Sequence, residues 1–398
     1  MYKFNISAPG TLLLFGKHTT DNKKGYVAAS LNMRTKLTFA SLPPGAVKVD
    51  FIELNFSPIE LHTKIPLNPF LKQFFNNKIN NMINECELYK QIKAFVNSLT
   101  DMYEPRNNRH KLSLQTFFFL LVYIAYRRSI KITASIVVKI TSNLPIGEGM
   151  GSSASFAACL ATCFWRWSFL QKGIAYYEIY KDDMAMILEY TKLCEYMIYK
   201  TSNMDKSVIS VYGSLLVSEN SEREAKMYTK FPRIRILLVW SKSKQKTPIN
   251  VIRHSYLGVK LILNTIDAIS KESIKIFDEM DEKPIDLSKA GPDTPDVPLQ
   301  VKYEKLSNLI HMNQGLLQTL GISHPTLDII CAIAQDFSLK GKMASVNKAG
   351  YGCGYVFILL QPDIADDTII DLLNRLKAQN FCISITSLCG KWSGVRIE

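Results

Sequence analysis

Leu144-Pro145-Ile146-Gly147-Glu148-Gly149-Met150-Gly151-Ser152-Ser153-Ala154-Ser155 is the stretch on which the reading of this chain turns. Three glycines alternate with other residues, two serines follow, and a helix-forming run continues through Ala161. Glycine has no Cβ, so the backbone there can approach a bound group closely. A helix opening at Ser152 and Ser153 offers free N–H groups and the positive end of its dipole to an anion. The combination reads as a phosphate cradle and points to a nucleotide-dependent enzyme. A Gly-x-Gly-x-Gly in isolation is equally compatible with a structural turn, so its surroundings decide.

Those surroundings have the right order. Ile132 to Ile140 clusters β-branched residues as a strand does and leads into the glycines, and Ala154 to Leu170 reads as the helix beyond them. Upstream, Val47 to Leu61 reads as a strand. Pro69 to Thr100 is polar and Asn-rich with helical spacing, and Leu112 to Arg128 is an apolar helix suited to covering a sheet. Downstream, Asp182 to Tyr199 is a further helix, and residues 233–240, Arg-Ile-Arg-Ile-Leu-Leu-Val-Trp, form a strand. The polar stretch Glu219 to Lys230 precedes that strand and places a domain boundary near residue 226. Asp278 to Pro298 carries Pro284, Pro292, Pro295 and Pro298 among charged residues and reads as an exposed, mobile loop between two helices.

Composition narrows the class. A chain of 398 residues with 47% hydrophobic and 21% charged content builds substantial cores, enough for two domains, and excludes disorder. The longest apolar run, Phe117 to Tyr126, is about half the roughly 20 residues of a membrane span, and it ends in Arg127 and Arg128, so it is expected to be a buried helix. Leu12 to Phe15 is too short for a signal-peptide core, so an intracellular, cytoplasmic protein is expected. Eight cysteines, Cys86, Cys159, Cys163, Cys194, Cys331, Cys353, Cys382 and Cys389, show neither a Cys-x-x-Cys pair nor a histidine at zinc-ligand spacing, which excludes a zinc module and favours reduced core thiols. The net charge of +13 is spread along the chain and interleaved with acids, so no nucleic-acid partner is expected and general attraction of anionic substrates is. Lys242, Lys244 and Lys246, the densest basic cluster, read as a solvated loop or as a polyphosphate-facing one.

Separated segments then fit one family in its order. The first is Ser7-Ala8-Pro9-Gly10 with Leu13-Leu14-Phe15-Gly16, His18, Lys24-Gly25 and Ser30-Leu31-Asn32-Met33-Arg34-Thr35. The second is the glycine loop. The third is Ala349-Gly350-Tyr351-Gly352-Cys353-Gly354. Glu195-Tyr196-Met197-Ile198 with Met204-Asp205 and Tyr212-Gly213 form a fourth, and Met312-Asn313-Gln314 with Leu320-Gly321-Ile322 and His324 a fifth. The chain resembles the GHMP-type small-molecule kinases, and among them the mevalonate kinases. That resemblance implies an α+β, two-domain GHMP kinase fold. Residues 1–226 would form an N-terminal S5-like β/α domain with a left-handed βαβ unit, carrying the ATP and Mg²⁺ site, and 227–398 a ferredoxin-like α/β domain. It further implies mevalonate as substrate, a homodimer, and a place in isoprenoid and sterol biosynthesis.

Phosphoryl transfer needs hydrogen-bond donors, a divalent cation and a positioned hydroxyl, because negative charge spreads over the group in flight. Backbone N–H groups of Gly147, Gly149, Gly151, Ser152 and Ser153 suit the triphosphate. The Ser153 hydroxyl and Glu195 suit Mg²⁺, which prefers oxygen ligands, and the resemblance assigns the same pair. It makes Asp205 the catalytic carboxylate that orients or deprotonates the alcohol, and makes His18, Thr247 and Ala349 substrate contacts. Outside the family register, Glu195 would read as a solvated surface acid, Asp205 and Thr247 as caps, and His18 as a hydrogen-bonded structural histidine.

The pattern also breaks. The lysine of the family's Ala-Pro-Gly-Lys is Thr11 here, its Gly-Glu-His is Gly16-Lys17-His18, and Tyr351 replaces a glycine in a third motif one residue short. Losing one electrostatic stabiliser costs about 3 to 4 kcal/mol of transition-state stabilisation. Three readings stay open: Lys17 or Lys206 restores the missing ammonium, with Lys17 taken as the catalytic cation; the chain is a nucleotide- or isoprenoid-binding regulator that retains the fold; or the kinase acts on another substrate, such as phosphomevalonate or homoserine.

Overall fold

The computed structural model describes residues 1–16, 25–75, 84–175, 178–201, 204–218, 225–228, 231–241, 257–281, 299–344, 354–390 and 393–398. In chain order the elements are β1 (Tyr2–Gly16), β2 (Tyr26–Ser41), β3 (Phe51–Phe56), β4 (Leu61–Pro66), α1 (Leu67–Phe74), α2 (Glu85–Ser98), α3 (Asn108–Arg128) and β5 (Ile136–Ser142). Next come α4 (Ser152–Gln171), α5 (Lys181–Tyr199), α6 (Asp205–Tyr212), β6 (Leu215–Ser218), β7 (Lys226–Tyr228) and β8 (Ile234–Ser241). The remainder is α7 (Leu257–Asp281), α8 (Leu299–Thr319), α9 (Pro325–Asp336), β9 (Gly341–Met343), β10 (Tyr355–Leu359), α10 (Asp366–Ala378), β11 (Phe381–Leu388) and β12 (Arg396–Ile397). This is an α+β chain.

Its strands join in one sheet of order β4-β3-β5-β2-β11-β8-β10-β9, with β1 beside β2 and β12, and β6 between β2 and β7. Among the described strands only β3 and β5 run parallel, and they are connected through β4, α1, α2 and α3. A parallel pair requires such a crossover because its strands start at the same edge. The hairpin of β1 and β2 is the spine. It pairs from Tyr2 opposite Ser41 to Gly16 opposite Tyr26, with register shifts at Pro9/Gly10 and Leu13/Phe15.

The expected elements stand, with local differences. Val47 to Leu61 is not one strand. Pro58 has no N–H to give a ladder, so the chain closes a 3-10 turn over Ser57–Ile59 with Glu60 in the left-handed region, and β3 folds back as β4. β5 starts at Ile136, four residues later than the β-branched run suggests, because Ser135 turns the chain by donating from both its N–H and its hydroxyl to Asp50 Oδ1. The Pro69–Thr100 stretch is two helices, α1 and α2. α7 persists to Asp281, past the start of the expected proline-rich loop, and residues 282–298 lie outside the described part. Residue 226 opens β7, which pairs with β6.

α4 is the helix that holds the site. Ala154 to Ser168 are all buried, so it runs through the core, flanked by α3, whose Ser113 to Ala125 are buried as well. Phe70, Phe74, Phe95 and Phe118 pack ring to ring beneath α1, α2 and α3. Ser155 Oγ donates to Ala8 O at 2.7 Å and Cys159 Sγ to Thr35 O at 3.4 Å, fixing α4 on β1 and β2. The seven described cysteines are all free, and Cys159, Cys163, Cys194, Cys331 and Cys389 are buried. No helix among the described residues is long and apolar enough to cross a membrane.

Arg34 on β2 ties β1 to residues 393 and 394. Its buried guanidinium donates to Ser7 Oγ and O, to Ser393 O and to Gly394 O, so one side chain holds the segment that leads into β12 against β1.

The glycine loop closes against β1 through a contact only glycine allows. A β-carbon on Gly10 would lie 2.2 Å from Leu144 Cδ2 and 2.9 Å from Met150 O. Gly10→Ala is therefore expected to lower stability by about 1 to 3 kcal/mol through overpacking and to weaken nucleotide binding, read by chemical denaturation and by titration with Mg-ATP.

Candidate functional site

The loop between β5 and α4 has the backbone its sequence requires. Gly147, Gly149 and Gly151 sit at φ 85°, 82° and 72°, a region that side chains disfavour, and their alternation lets the chain curl instead of extending. Gly151 is the residue before α4 and brings no side-chain cap, so the first N–H groups of the helix remain available to a ligand. The Gly147 N–H points toward Ser152 Oγ at 3.5 Å. Thr11 N–H donates to Met150 O at 3.0 Å, and Gly151 packs where its β-carbon would be 3.0 Å from Thr11 Oγ1. Thr11 is thus spent on seating the loop. It is buried, and its hydroxyl has no partner among the described residues.

A pocket of about 300 Å³ opens beside this loop. Gly147, Gly149, Gly151, Ser152 and Ser153 form one wall, and Phe56, Leu112, Ile146 and Phe156 give it an apolar side. Arg109, Ser113, Tyr199 and Lys206 complete it. A lining that is mostly apolar with a few convergent polar groups is the usual form of a small-molecule site.

Ser153 and Glu195 meet directly. Ser153 Oγ donates to Glu195 Oε2 at 3.1 Å. Glu195 lies four residues before the end of α5 and is only 3% exposed, so the surface-acid reading is excluded. Its other oxygen, Oε1, is buried without a hydrogen-bond partner. Burial pushes the carboxyl up to about 7, against the opposing pull of Ser153 and the Lys206 ammonium. A buried carboxylate oxygen without a donor is costly unless a cation or proton meets it. The hydroxyl and carboxylate could offer oxygen to a hard cation such as Mg²⁺, whose remaining ligands a nucleotide phosphate and water would supply. Among the described residues no cluster of three or more His, Cys, Asp and Glu exists that would make an all-protein cage.

Asp205 is the first residue of α6, at the positive end of that helix. Ser210 Oγ, further along α6, donates to Pro9 O at 3.2 Å and anchors the helix to β1. Tyr26 on β2 hydrogen-bonds Asp205, and its phenol is raised well above the usual range, first by burial and then by the Asp205 charge. Lys206, the next residue, lines the pocket. The structure therefore brings the glycine loop, Ser153, Glu195 and Lys206 to one place, while Asp205, the residue before Lys206, meets Tyr26. Lys17, His18, Thr247 and Ala349 lie outside the described residues, as does the cluster Lys242, Lys244 and Lys246.

Three participants are not evident in the sequence. Arg109 is capped by the Asn107 side chain at the start of α3, and its Nη2 stands 3.5 Å from where a Gly147 β-carbon would be. Its spacing to Leu112 and Ser113, three and four residues on, is the one sign that it shares their helix face. Tyr199 at the end of α5 is held by Thr116 at 3.2 Å, and Tyr26 is positioned by a strand pairing that no local pattern reveals.

Comparisons with known proteins agree with this architecture. Residues 118–192, which span most of α3, all of β5, the glycine loop and α4, and most of α5, match the family of GHMP kinases N terminal domain. The chain is 27% identical to mevalonate kinase of Mus musculus over 376 residues, covering 92% of this chain and 88% of the mouse protein. Among solved structures, Methanococcus jannaschii mevalonate kinase superposes with a TM-score of 0.65 at 18% identity, covering 98% of this chain and 99% of that one. L. major mevalonate kinase in complex with R-mevalonate gives 0.56 at 13% identity, covering 98% and 96%. Residues 118–192 thus carry the pattern of the GHMP kinases N terminal domain, and over nearly its whole length the chain is similar in sequence to mevalonate kinase of Mus musculus and in fold to that of Methanococcus jannaschii.

Proposed function

We propose that the chain is an ATP-dependent mevalonate kinase that transfers the γ-phosphoryl group to the C5 hydroxyl of mevalonate, giving 5-phosphomevalonate and ADP. The observation that carries this reading is the Ser153 to Glu195 hydrogen bond at the start of α4, with one buried carboxylate oxygen left over beside a glycine-lined pocket. That arrangement suits Mg²⁺ on a nucleotide phosphate. The backbone of Gly147 to Ser153 holds the triphosphate. Asp205, steadied by Tyr26, accepts or orients the proton of the attacking hydroxyl. His18, Thr247 and Ala349 are assigned to the substrate and Lys17 to the phosphoryl group by the family resemblance alone. The mevalonate assignment draws on the mouse relative and on the R-mevalonate complex of the L. major enzyme. Cytoplasmic location, a homodimer, a place in isoprenoid synthesis and division into units 1–226 and 227–398 belong to the same proposal on the same ground.

A coupled ADP assay with mevalonate, phosphomevalonate and homoserine decides the substrate, and turnover is expected with mevalonate. Asp205→Asn is expected to lower kcat by about 100-fold or more while leaving Mg-ATP affinity within about twofold. ATP binding without ADP release, unchanged by Asp205→Asn, would establish the regulator instead.

The raised Glu195 carboxyl gives a pH dependence. Its folded value of about 7 exceeds the ordinary 4.5, so folding favours the protonated form. Stability from this group is full below the ordinary value and is lost as pH rises to about 7. A divalent cation relieves the penalty on the charged form. Mg²⁺ with ATP is therefore expected to raise the melting temperature more at pH 8 than at pH 6, and Glu195→Gln to remove that difference. Equal shifts at both pH values would refute the assignment of Glu195 as ligand.

A further inference from the structure

Two described cations, Arg109 and Lys206, line the pocket. Arg109 is next to Gly147, where the loop begins. Lys206 follows Asp205 at the start of α6 and acts electrostatically on Glu195, the carboxylate that Ser153 bonds where α4 begins. The group that moves in phosphoryl transfer has to lie near both carboxylates, because Glu195 serves the cation bridging the outer phosphates and Asp205 serves the attacking hydroxyl. That places the outer phosphate at the Lys206 end. Leu112, three residues on and on the same helix face as Arg109, gives that flank an apolar surface, which suits the flat base of the nucleotide. The inner phosphates then pass Arg109.

We propose that the two cations divide the nucleotide between them: Lys206 contacts the transferring γ-phosphoryl group, and Arg109 holds the inner phosphates that do not react. The inference rests on the reading of this pocket as an ATP site. The chemistry of the two side chains fits the division. An ammonium on a flexible stem is a point charge that can follow a group as it moves, whereas a guanidinium is a planar fork that fixes a stationary phosphate. β1 sends no cation to this pocket from position 11, since Thr11 is buried against Gly151. Lys206 reaches it from α6, whose anchor is the Ser210 bond to β1.

The test compares Mg-ATP with Mg-ADP, which differ only in the γ-phosphate, by calorimetric titration of the full chain. Wild type is expected to prefer ATP. Lys206→Met is expected to weaken ATP about tenfold or more with little change for ADP, erasing that preference, while Arg109→Met weakens both in equal proportion. Lys206→Arg, which keeps the charge, should retain the preference. In turnover, Lys206→Met should lower kcat and Arg109→Met should raise KM for ATP. The division is overturned if wild type binds ATP and ADP alike, if Lys206→Met weakens both equally, or if it leaves kcat intact. Should Met at 206 prevent folding, Lys206→Gln carries the same comparison. Absence of turnover with mevalonate would sink the substrate assignment, while the two binding titrations would still judge the roles of Lys206 and Arg109.

Discussion

The seating of the glycine loop on β1 is the constraint from which the rest of the site follows. Thr11 N–H holds Met150 O, and neither Gly10 nor Gly151 has a side chain to keep the two backbones apart. The loop is thereby bent into three successive left-handed glycine positions, and α4 begins where the bend ends. Burial of α4 along Ala154 to Ser168 makes this position rigid. The first N–H groups of the helix are then fixed in space before any ligand arrives, which is what electrostatic preorganisation means in structural terms.

Fixing α4 also fixes Ser153, and Ser153 meets Glu195 because α5 packs on α4 in the same core. The pair is an unfavourable arrangement for the free protein. One carboxylate oxygen is buried without a donor, and burial drives the group toward protonation. Under the proposed function, energy that folding leaves unsatisfied at such a point would be recovered on binding a cation, so the same atoms that weaken the empty protein would strengthen its complex. Asp205 differs in kind: it opens a helix, takes the Tyr26 hydrogen bond and belongs to a segment anchored to β1.

Much of this was legible in the residues themselves. The alternating glycines followed by paired serines announce the loop and the helix, and the β-branched run before them announces the strand. The order of segments from Ser7 to Gly354 carries the resemblance to the GHMP kinases, and that resemblance singles out Glu195 and Asp205, which in isolation read as a surface acid and a cap. Their burial and bonding could not be read locally, since each depends on packing between elements far apart in sequence. Arg109 and Tyr26 escaped for the same reason. The Val47–Leu61 boundary failed over Pro58, whose missing N–H matters only once the pairing partner is known. Lys17, His18, Thr247 and Ala349 rest on the family pattern alone.

The Arg34 clamp has a consequence for how the chain comes into being. Ser7, Arg34 and residues 393 and 394 meet in one cluster, and β12 adds the neighbouring strand to β1. Contacts between residues some 360 positions apart carry a large loop-closure entropy and form late. On a ribosome, the spine hairpin therefore emerges long before its outer neighbour exists, leaving an open strand edge for the duration of synthesis. Emergence of Arg396 and Ile397 is the event that shields it, so a chain truncated before β12 presents an aggregation surface that pairing with β12 conceals.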